Sequence, residues 1–353
     1  LDALVTKVAS TLGYPLLVIY YPIYSQDQAI TEGDVRSVYR ACRDAGFSRQ
    51  TPTEHLGIAL HTHGGDPGAS YRMAQIIRDA AKKATFHVPH RAMSGGTLLC
   101  MAGNLVRLGD GAGVSPIDIT RMSDEEGDEG VQLIGVENFI EFAVNARVEM
   151  ESAFKTRDLE SAASELESAL LCRMVSDVGA LKVAEYYRER TLTAHYAREL
   201  LRRYMFADLP ERTANRRAQH VVDELLFGAP SHEYFVDFHL AEAAGLRVEE
   251  MTVAESDLFS EVIALLDELS QLGIICRVLP NEFRLPFVQI YKPGVAKARF
   301  EEVSDHEQAN RGQAEKGIEV HNGDDSGTAR AAIPGALAGV EIAGGPNGKG
   351  TRS

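Results

Sequence analysis

Two short apolar segments, each followed by a pair of glycines, constrain this chain more than any other feature. Ile58, Ala59 and Leu60 lead into the sequence HTHGGD, and the β-rich stretch 85–88 leads past Pro89 into MSGG. Glycine lets a backbone amide approach a ligand closely, because no side chain stands in the way. We therefore expect backbone N–H groups and a serine hydroxyl to converge on one point.

The second glycine pair follows Ser94, and the apolar sequence from Leu98 to Leu105 predicts a helix behind it. A strand, a sharp turn that carries a serine, and a helix together form the context of a nucleophile elbow. Backbone amides at the two glycine turns could form an oxyanion hole beside the serine. The arrangement is suited to acyl transfer.

Strand and helix signals alternate through the first third of the chain. Strands are predicted over 16–24, 55–61 and 85–88, and helices over 32–45 and from Pro67 onward. This order of elements predicts an α/β layer fold with a mainly parallel sheet.

Three sequence segments carry a resemblance to a known family. GIALHTHGGD (57–66) and VPHRAMSGGTLLCMAGN (88–104) resemble segments of the serine dehydrogenase proteinase family, and LAEAAGLRV (240–248) resembles the segment that closes many ClpP-like domains. These proteins are relatives of the SppA signal peptide peptidases in the ClpP/crotonase superfamily. The segments occur in the family's order across roughly 200 residues, which one domain can accommodate.

The resemblance implies a ClpP/crotonase-like fold, with flanking helices and an added helical region, and an SppA-like serine peptidase. Ser94 would be the nucleophile, and Gly64, Gly65 and Gly95 would form the oxyanion and substrate-binding turn. A peptide or an unfolded protein would be cleaved through an acyl-enzyme, and no cofactor is implied. ClpP-like domains generally work in symmetric assemblies, so we also expect a homo-oligomer.

The general base is where the sequence departs from this family. SppA-like enzymes pair the serine with a lysine some tens of residues downstream, yet no lysine occurs between Lys83 and Lys155. His232 is our first hypothesis, because it precedes the closing segment and imidazole titrates near neutral pH. Lys182, Lys155 and His90 stay open, as does the absence of any base, although His90 is more typical of a residue that hydrogen-bonds the turn.

Two other functions remain open at this point. A ClpP-fold scaffold without turnover would keep the fold in order to bind peptides or oligomerise. A crotonase-like enzyme acting on an acyl thioester is disfavoured, because that chemistry needs oxyanion amides but no serine on an elbow.

Composition excludes several classes of partner and site. The net charge of −15 argues against nucleic acid or an anionic membrane surface as the main partner. The four cysteines form no CxxC pair, and His61 and His63 lack a third ligand, so no metal site is predicted. We expect a cytoplasmic protein. Because no apolar run of about 18 residues occurs, we expect membrane association only through a segment preceding Leu1.

The remaining sequence sets the domain boundaries. Residues 1–292 are predicted to form the peptidase domain, with 137–228 as a helical elaboration. Amphipathic patterns predict helices within that elaboration over 159–175, 180–190, 194–206 and 213–227. The tail 293–353 is polar and glycine-rich, so it is predicted to be disordered.

Overall fold

The computed structural model describes residues 1–22, 29–117, 157–229, 231–232, 234–276 and 286–294. The strands are β1 Leu16–Tyr20, β2 Thr53–His61, β3 Ala81–Val88, β4 Arg91–Ala92, β5 Leu105–Leu108, β6 Gly113–Val114, β7 Val248–Glu250 and β8 Phe287–Tyr291. The helices are α1 Asp2–Leu12, α2 Glu32–Asp44, α3 Pro67–Ala80, α4 Gly95–Cys100, α5 Arg157–Val178, α6 Ala180–Leu200, α7 Glu211–Val222, α8 Phe238–Ala243 and α9 Val253–Gln271. Single π-helical turns extend α6 over Leu201–Met205 and α7 over Asp223–Phe227.

The main sheet has six strands in the order β7-β5-β3-β2-β1-β8. Every neighbouring pair is parallel except β1 and β8, which pair antiparallel at one edge. The predicted α/β fold with a mainly parallel sheet and flanking helices is therefore confirmed. Strand β8 was not predicted, because it is a short edge strand just before the sequence turns polar.

Helices cover both faces of the main sheet. All five residues of β1 are buried, as expected for an interior strand of a parallel sheet. Leu17 and Ile19 pack in the core that contains α2, α3, α4, α6 and α7, whereas Leu16, Val18 and Tyr20 pack against α1 and α9. The period of two along β1 thus divides its side chains between two cores.

The helix predicted over 98–105 is shorter than expected. Helix α4 ends at Cys100, and Leu105 already pairs with Thr85 as the first residue of β5. Asn104 makes the difference, because its Oδ1 accepts a hydrogen bond of 2.9 Å from the Ala84 amide. That bond joins the end of the turn to β3 and starts the new strand.

In the described part of the helical elaboration, from Arg157 onward, the helices are fewer and longer than the sequence predicts. The two helices predicted over 180–190 and 194–206 are one, α6, which continues through its π-helical turn to Met205. The helix predicted over 159–175 lies within α5, and the helix predicted over 213–227 corresponds to α7 with its own π-helical turn.

The chain divides into two units, Leu1–Ala298 and Arg299–Ser353. The second unit lies outside the described residues, so the predicted disordered tail and its boundary stay predictions. Within the described ranges, no helix combines the length and the apolar character that a membrane crossing requires.

Candidate active site

A second, smaller sheet forms where β2 and β3 end. Its centre is the parallel pair β4 and β6, in which Ala92 lies opposite Val114. Thr62 adds to one side through a parallel bridge to Ala92, and Val236 adds to the other through an antiparallel bridge to Val114. Because Thr62 directly follows β2 and β4 closely follows β3, this second sheet holds the start of both glycine turns.

The first turn is fixed by a bridge to Ile30. The Gly64 carbonyl accepts a hydrogen bond of 2.7 Å from the Ile30 amide, and the Ile30 carbonyl accepts one of 2.8 Å from the Asp66 amide. Gly65 lies between these two bonds, so its own N–H points away from Ile30. Its φ is 141°, and a Cβ on Gly65 would lie 2.2 Å from the Ile30 nitrogen, so the turn requires glycine.

The second turn holds Ser94 in an unusual backbone conformation. Its φ is 47° and its ψ is −113°, and among the described residues only Cys276 is a second non-glycine residue with positive φ. The Ser94 amide donates a hydrogen bond of 2.7 Å to Ser115 Oγ, and its carbonyl accepts one of 3.1 Å from Leu98. A strained residue of this kind persists only where its surroundings hold it.

The two turns touch each other. A Cβ on Gly64 would lie 2.6 Å from the Ser94 Cβ, and a Cβ on Gly95 would lie 2.8 Å from the Gly65 carbonyl oxygen. The structure therefore brings Ser94, Gly64, Gly65 and Gly95 together. Glycine at these positions makes the close approach possible, because any side chain would force the turns apart.

The amides of this contact are not equivalent. The Gly64 amide donates to Thr62 Oγ1 at 3.0 Å, so Gly64 provides space beside Ser94 but no free donor. Within the described part of the chain, neither the Gly65 amide nor the Gly95 amide has an acceptor. Gly95 is buried whereas Gly65 is half-buried, and unsatisfied buried amides are rare in folded proteins, which makes the Gly95 amide notable.

Ser115 and Thr97 support the second turn, and the sequence alone did not identify how. Thr97 Oγ1 lies 2.8 Å from both the Ala92 and the Ser115 carbonyl oxygens and accepts a bond of 3.1 Å from the Ser115 amide. This network fixes β4 to β6 directly beneath Ser94. Ser115 was expected near the site from the resemblance, but its bond to the Ser94 amide depends on the tertiary structure.

His232 is half-buried and lies shortly before Val236. Val236 pairs antiparallel with Val114. The residues that precede Val236 therefore lie beside the residues that follow Val114. This is the end of the second sheet where Ser94 follows β4. The topology therefore directs the segment that carries His232 toward the same end as Ser94.

The other candidate bases lie elsewhere or outside the description. His90 Nε2 is 3.5 Å from Ser260 Oγ on α9, so the His90 side chain lies on the α1 and α9 face of the sheet. His90 contacts the turn through its backbone, because the His90 carbonyl oxygen accepts a hydrogen bond of 3.1 Å from the Gly113 amide. Lys182 is the third residue of α6, but its side chain and all of Lys155 lie outside the described residues.

His61 and His63 differ in burial. The His61 ring is fully buried, with Nδ1 at 3.1 Å from the Tyr21 carbonyl oxygen, and burial, with a smaller contribution from His90, lowers its pKa to about 3. His63 is exposed although residues two apart share a face of a regular strand, because β2 already ends at His61. Among the described residues, no three His, Cys, Asp or Glu side chains form a group that could hold a metal ion.

Comparison with known proteins agrees with this geometry. Residues 15–125 match the family described as ClpP-like SDH-type serine proteinases, which confirms the resemblance found in the sequence. Two uncharacterized proteins of Methanocaldococcus jannaschii, MJ1495 and MJ0137, are 33% identical over 98 residues and 31% identical over 97 residues. Each match spans 28% of this chain but only 30% and 31% of those proteins, so the chain spans less than a third of these curated relatives.

Solved structures show a more distant likeness. Two structures of the 1510-N membrane-bound stomatin-specific protease, one of them with a substrate peptide, are 17% and 20% identical to this chain. They cover 39% of this chain and 63% and 60% of their own chains, with a TM-score of 0.25 in both cases. At that score the likeness says nothing about the site. Residues 15–125, which include both glycine turns and Ser94, are thus similar to the family of ClpP-like SDH-type serine proteinases.

Proposed function

We propose that this protein is a serine peptidase in which Ser94 is the nucleophile. The observation that carries the proposal is the strained Ser94 backbone, packed against Gly64 and beside two amides that have no acceptor among the described residues. A serine in this conformation presents its hydroxyl at the tip of a sharp turn. The family assignment of residues 15–125 supports the same conclusion.

The reaction follows from these groups. A base takes the proton from Ser94 Oγ as the oxygen attacks the scissile carbonyl carbon of a peptide. Negative charge then develops on the carbonyl oxygen, which the Gly65 and Gly95 amides stabilise as an oxyanion hole. The C–N bond breaks, the amine leaves with the proton, and water hydrolyses the ester on Ser94 by the same steps.

An extended peptide is the proposed substrate. It would add as a strand beside the Gly64 turn, with its scissile carbonyl oxygen on the two free amides. The alternative, a scaffold without turnover, would bind the same kind of peptide at the same place. The two hypotheses differ only in whether Ser94 reacts.

His232 is the general base that we propose. The direction of the chain before Val236 supports this choice, and a free imidazole has a pKa near 6.5, which suits proton transfer at neutral pH. A displaced Ser-Lys dyad through Lys182 or Lys155 is the competing hypothesis.

Labelling with a fluorophosphonate probe tests the nucleophile. We expect the wild-type protein to gain one adduct and Ser94→Ala to gain none, because the probe reacts only with an activated serine. Ser10→Ala, a change on the distant helix α1, is the matched control and should label like the wild type. An unlabelled wild type that still binds peptides would establish the scaffold.

The pH profile of labelling tests the base. If His232 takes the proton, the rate should fall at acidic pH, because a protonated imidazole cannot act as a base, and His232→Ala should lose at least about a hundredfold. Lys182→Ala and Lys155→Ala should then label normally. A full rate in His232→Ala, together with a loss in either lysine variant, would replace this assignment with a displaced dyad.

Self-association is proposed for the helical elaboration. Leu181, Tyr187 and Leu192 on α6 are 87%, 45% and 43% exposed, and a second copy of the chain would bury these apolar side chains favourably. Sedimentation at micromolar concentration should give a species larger than 38.5 kDa. The cytoplasmic location stays a proposal, which fractionation of cells that express the full-length protein would test.

A further inference from the structure

Asp34 is a buried carboxylate that the proposed reaction does not use. It is 3% exposed and lies in the first turn of α2. Among the described residues, no Lys, Arg or His side chain forms an ion pair with it. Burial raises the pKa of this carboxyl, whereas its hydrogen bonds from Thr31 lower it. Because a buried charge is unfavourable unless it is hydrogen-bonded, the groups that Asp34 binds are informative.

Asp34 binds the residue that follows Ile30. Asp34 Oδ2 accepts a hydrogen bond of 2.7 Å from the Thr31 amide and one of 3.1 Å from Thr31 Oγ1. The Thr31 N–H belongs to the same peptide group as the Ile30 carbonyl, and in a trans peptide these two groups point in opposite directions. The carboxylate therefore holds one end of the peptide group between Ile30 and Thr31.

The other end of this peptide group holds the first turn. The Ile30 carbonyl accepts the hydrogen bond of 2.8 Å from the Asp66 amide, and the Ile30 amide donates the bond of 2.7 Å to the Gly64 carbonyl. The Gly64 carbonyl shares its peptide group with the Gly65 N–H, which is one of the two proposed oxyanion donors. Ile30 thus fixes the direction of the Gly65 N–H, and Asp34 fixes Ile30.

The charge of Asp34 strengthens this connection. A hydrogen bond to a carboxylate is shorter and stronger than one between neutral groups. It also polarises the peptide group that donates it, so the Ile30 carbonyl becomes a better acceptor for the Asp66 amide. Ile30 is only 1% exposed, so little water competes for these bonds. Two hydrogen bonds in series therefore connect a buried negative charge with the first turn.

Helix α9 begins with a matching hydrogen-bond pattern in a different environment. Glu255 Oε2 accepts bonds of 2.9 Å from the Thr252 amide and 2.8 Å from Thr252 Oγ1. The Glu255 side chain is 19% exposed and forms an ion pair with an arginine of β5. The residue before Thr252 is Met251, and its amide donates to the Leu108 carbonyl at the end of β5. The cap of α2 differs because it is buried without an ion pair and is connected to the first turn.

We propose that Asp34 is a positioning residue for the oxyanion hole, which orients the Gly65 N–H through Ile30. This inference rests on the proposed peptidase function, since it assigns the Gly65 amide a part in the chemical step. It assigns Asp34 no contact with the substrate or with Ser94. Its role is to keep the Gly65 N–H directed at the position where the substrate carbonyl oxygen becomes negatively charged.

The test compares Asp34→Ala with Glu255→Ala, which removes the matching carboxylate of α9. A misdirected oxyanion donor weakens binding of the transition state but not of the substrate. Asp34→Ala should therefore lower kcat for a peptide by about tenfold to a hundredfold and change KM by less than about twofold. Asp34→Asn keeps an acceptor for the Thr31 amide, so it should restore kcat to within about threefold of the wild type. Glu255→Ala should keep the wild-type kcat and KM, although it also loses its ion pair.

Fluorophosphonate labelling separates positioning from a loss of folded protein. The phosphonyl oxygen occupies the oxyanion hole during the reaction, so Asp34→Ala should label about tenfold or more slowly but still reach one adduct per chain. Incomplete labelling at the wild-type rate would make Asp34 a purely structural residue and overturn the inference. An equal loss of rate in Glu255→Ala would overturn it as well.

Hydrogen exchange tests the same connection without any activity. In Asp34→Ala, peptides that contain the Ile30 and Asp66 amides should exchange at least about threefold faster than in the wild type, and in Glu255→Ala they should not. If the wild type neither labels nor cleaves, the peptidase function fails, and faster exchange then still supports the inference that Asp34 holds the first turn. Unchanged exchange in Asp34→Ala overturns the inference whether or not the protein is active.

Discussion

The two turns at the centre of this molecule both require a backbone with positive φ, but different residues adopt it. In the first turn, Gly64 and Gly65 have φ values of 103° and 141°, and each lies against backbone or Cβ atoms that leave no room for a side chain. In the second turn, the residue with positive φ is Ser94, at 47°. Glycine reaches such conformations readily, whereas other residues are destabilised there.

The glycines of the first turn and the serine of the second turn are present for different reasons, one structural and one chemical. Packing alone explains the glycines of the first turn. The conformation of the second turn would also favour glycine, so packing does not explain a serine at position 94. The hydroxyl is the remaining difference between the two residues, and the hydrogen bond from the Ser94 amide to Ser115 Oγ helps to hold the strained conformation.

The largest effect is expected for Gly65→Ala. A Cβ at this position would lie 2.2 Å from the nitrogen and 2.5 Å from the oxygen of Ile30, and neither backbone atom can move easily. We expect the free energy of unfolding to fall by about 4 kcal/mol or more, as measured by urea denaturation. Gly13→Ala is the control, because Gly13 also has positive φ but has nothing within 4 Å, and it should lose only about 1 kcal/mol. Equal losses in the two variants would show that the first turn is not sterically constrained.

The second effect concerns the strands that lead into the two turns. His61 in β2 and His87 in β3 are fully buried, and burial lowers the pKa of each to about 3. Each folded-state pKa lies below the value of 6.5 expected in the unfolded chain, so the unfolded chain binds the extra protons. Stability should therefore be complete above about pH 6.5 and fall toward pH 3, by about 1 kcal/mol per pH unit for each histidine.

Urea denaturation between pH 7 and pH 5 measures this dependence before most carboxylates titrate. His87→Gln should reduce the slope of stability against pH by about 1 kcal/mol per pH unit, while His61 and His55, whose pKa burial lowers to about 4, keep their share of the slope. His195→Gln, a change at an exposed histidine of α6, should leave the slope unchanged. If the free energy of unfolding does not decrease when the pH is lowered below 6, the two rings gain protons while the protein stays folded.

The third effect tests how the second turn is held. Ser115→Ala removes the acceptor for the Ser94 amide, so Ser94 should spend less time in its strained conformation. We expect the labelling rate to fall about tenfold, and the free energy of unfolding to fall by only about 1 kcal/mol. Ser48→Ala, in an exposed turn, is the control. A wild-type labelling rate in Ser115→Ala would show that other contacts suffice to hold Ser94.

The smallest effect compares two inactive variants of the second turn. Ser94→Ala keeps a Cβ at positive φ, whereas Ser94→Gly removes it, so the glycine variant should be the more stable by about 1 kcal/mol. Thermal unfolding of the two proteins under identical conditions measures the difference. If the alanine variant is the more stable, the backbone at position 94 is not strained, and the contrast between the turns disappears.

Local patterns allowed much of the fold to be predicted. The strands β1 to β3 and the helices α2 and α3 follow from apolar periodicity and from Thr31, Pro67 and the glycines at helix ends, which act within a few residues. The sequence motif also identified Ser94 and the glycine pairs as a candidate site. The fold predictions succeeded because each depends on residues that are neighbours in the chain.

What only the tertiary structure decided depends on pairing between distant segments. The sequence could not show that Thr62 occupies the Gly64 amide, that Asn104 ends α4 early by binding β3, or that Ile30 pairs with Gly65. The sequence determined which residues are able to form two tight turns and a nucleophile. The second sheet, which joins segments far apart in the chain, decided which amides remain free and which side chains surround Ser94, because hydrogen bonds between strands are fixed by register and not by the identity of the residues alone.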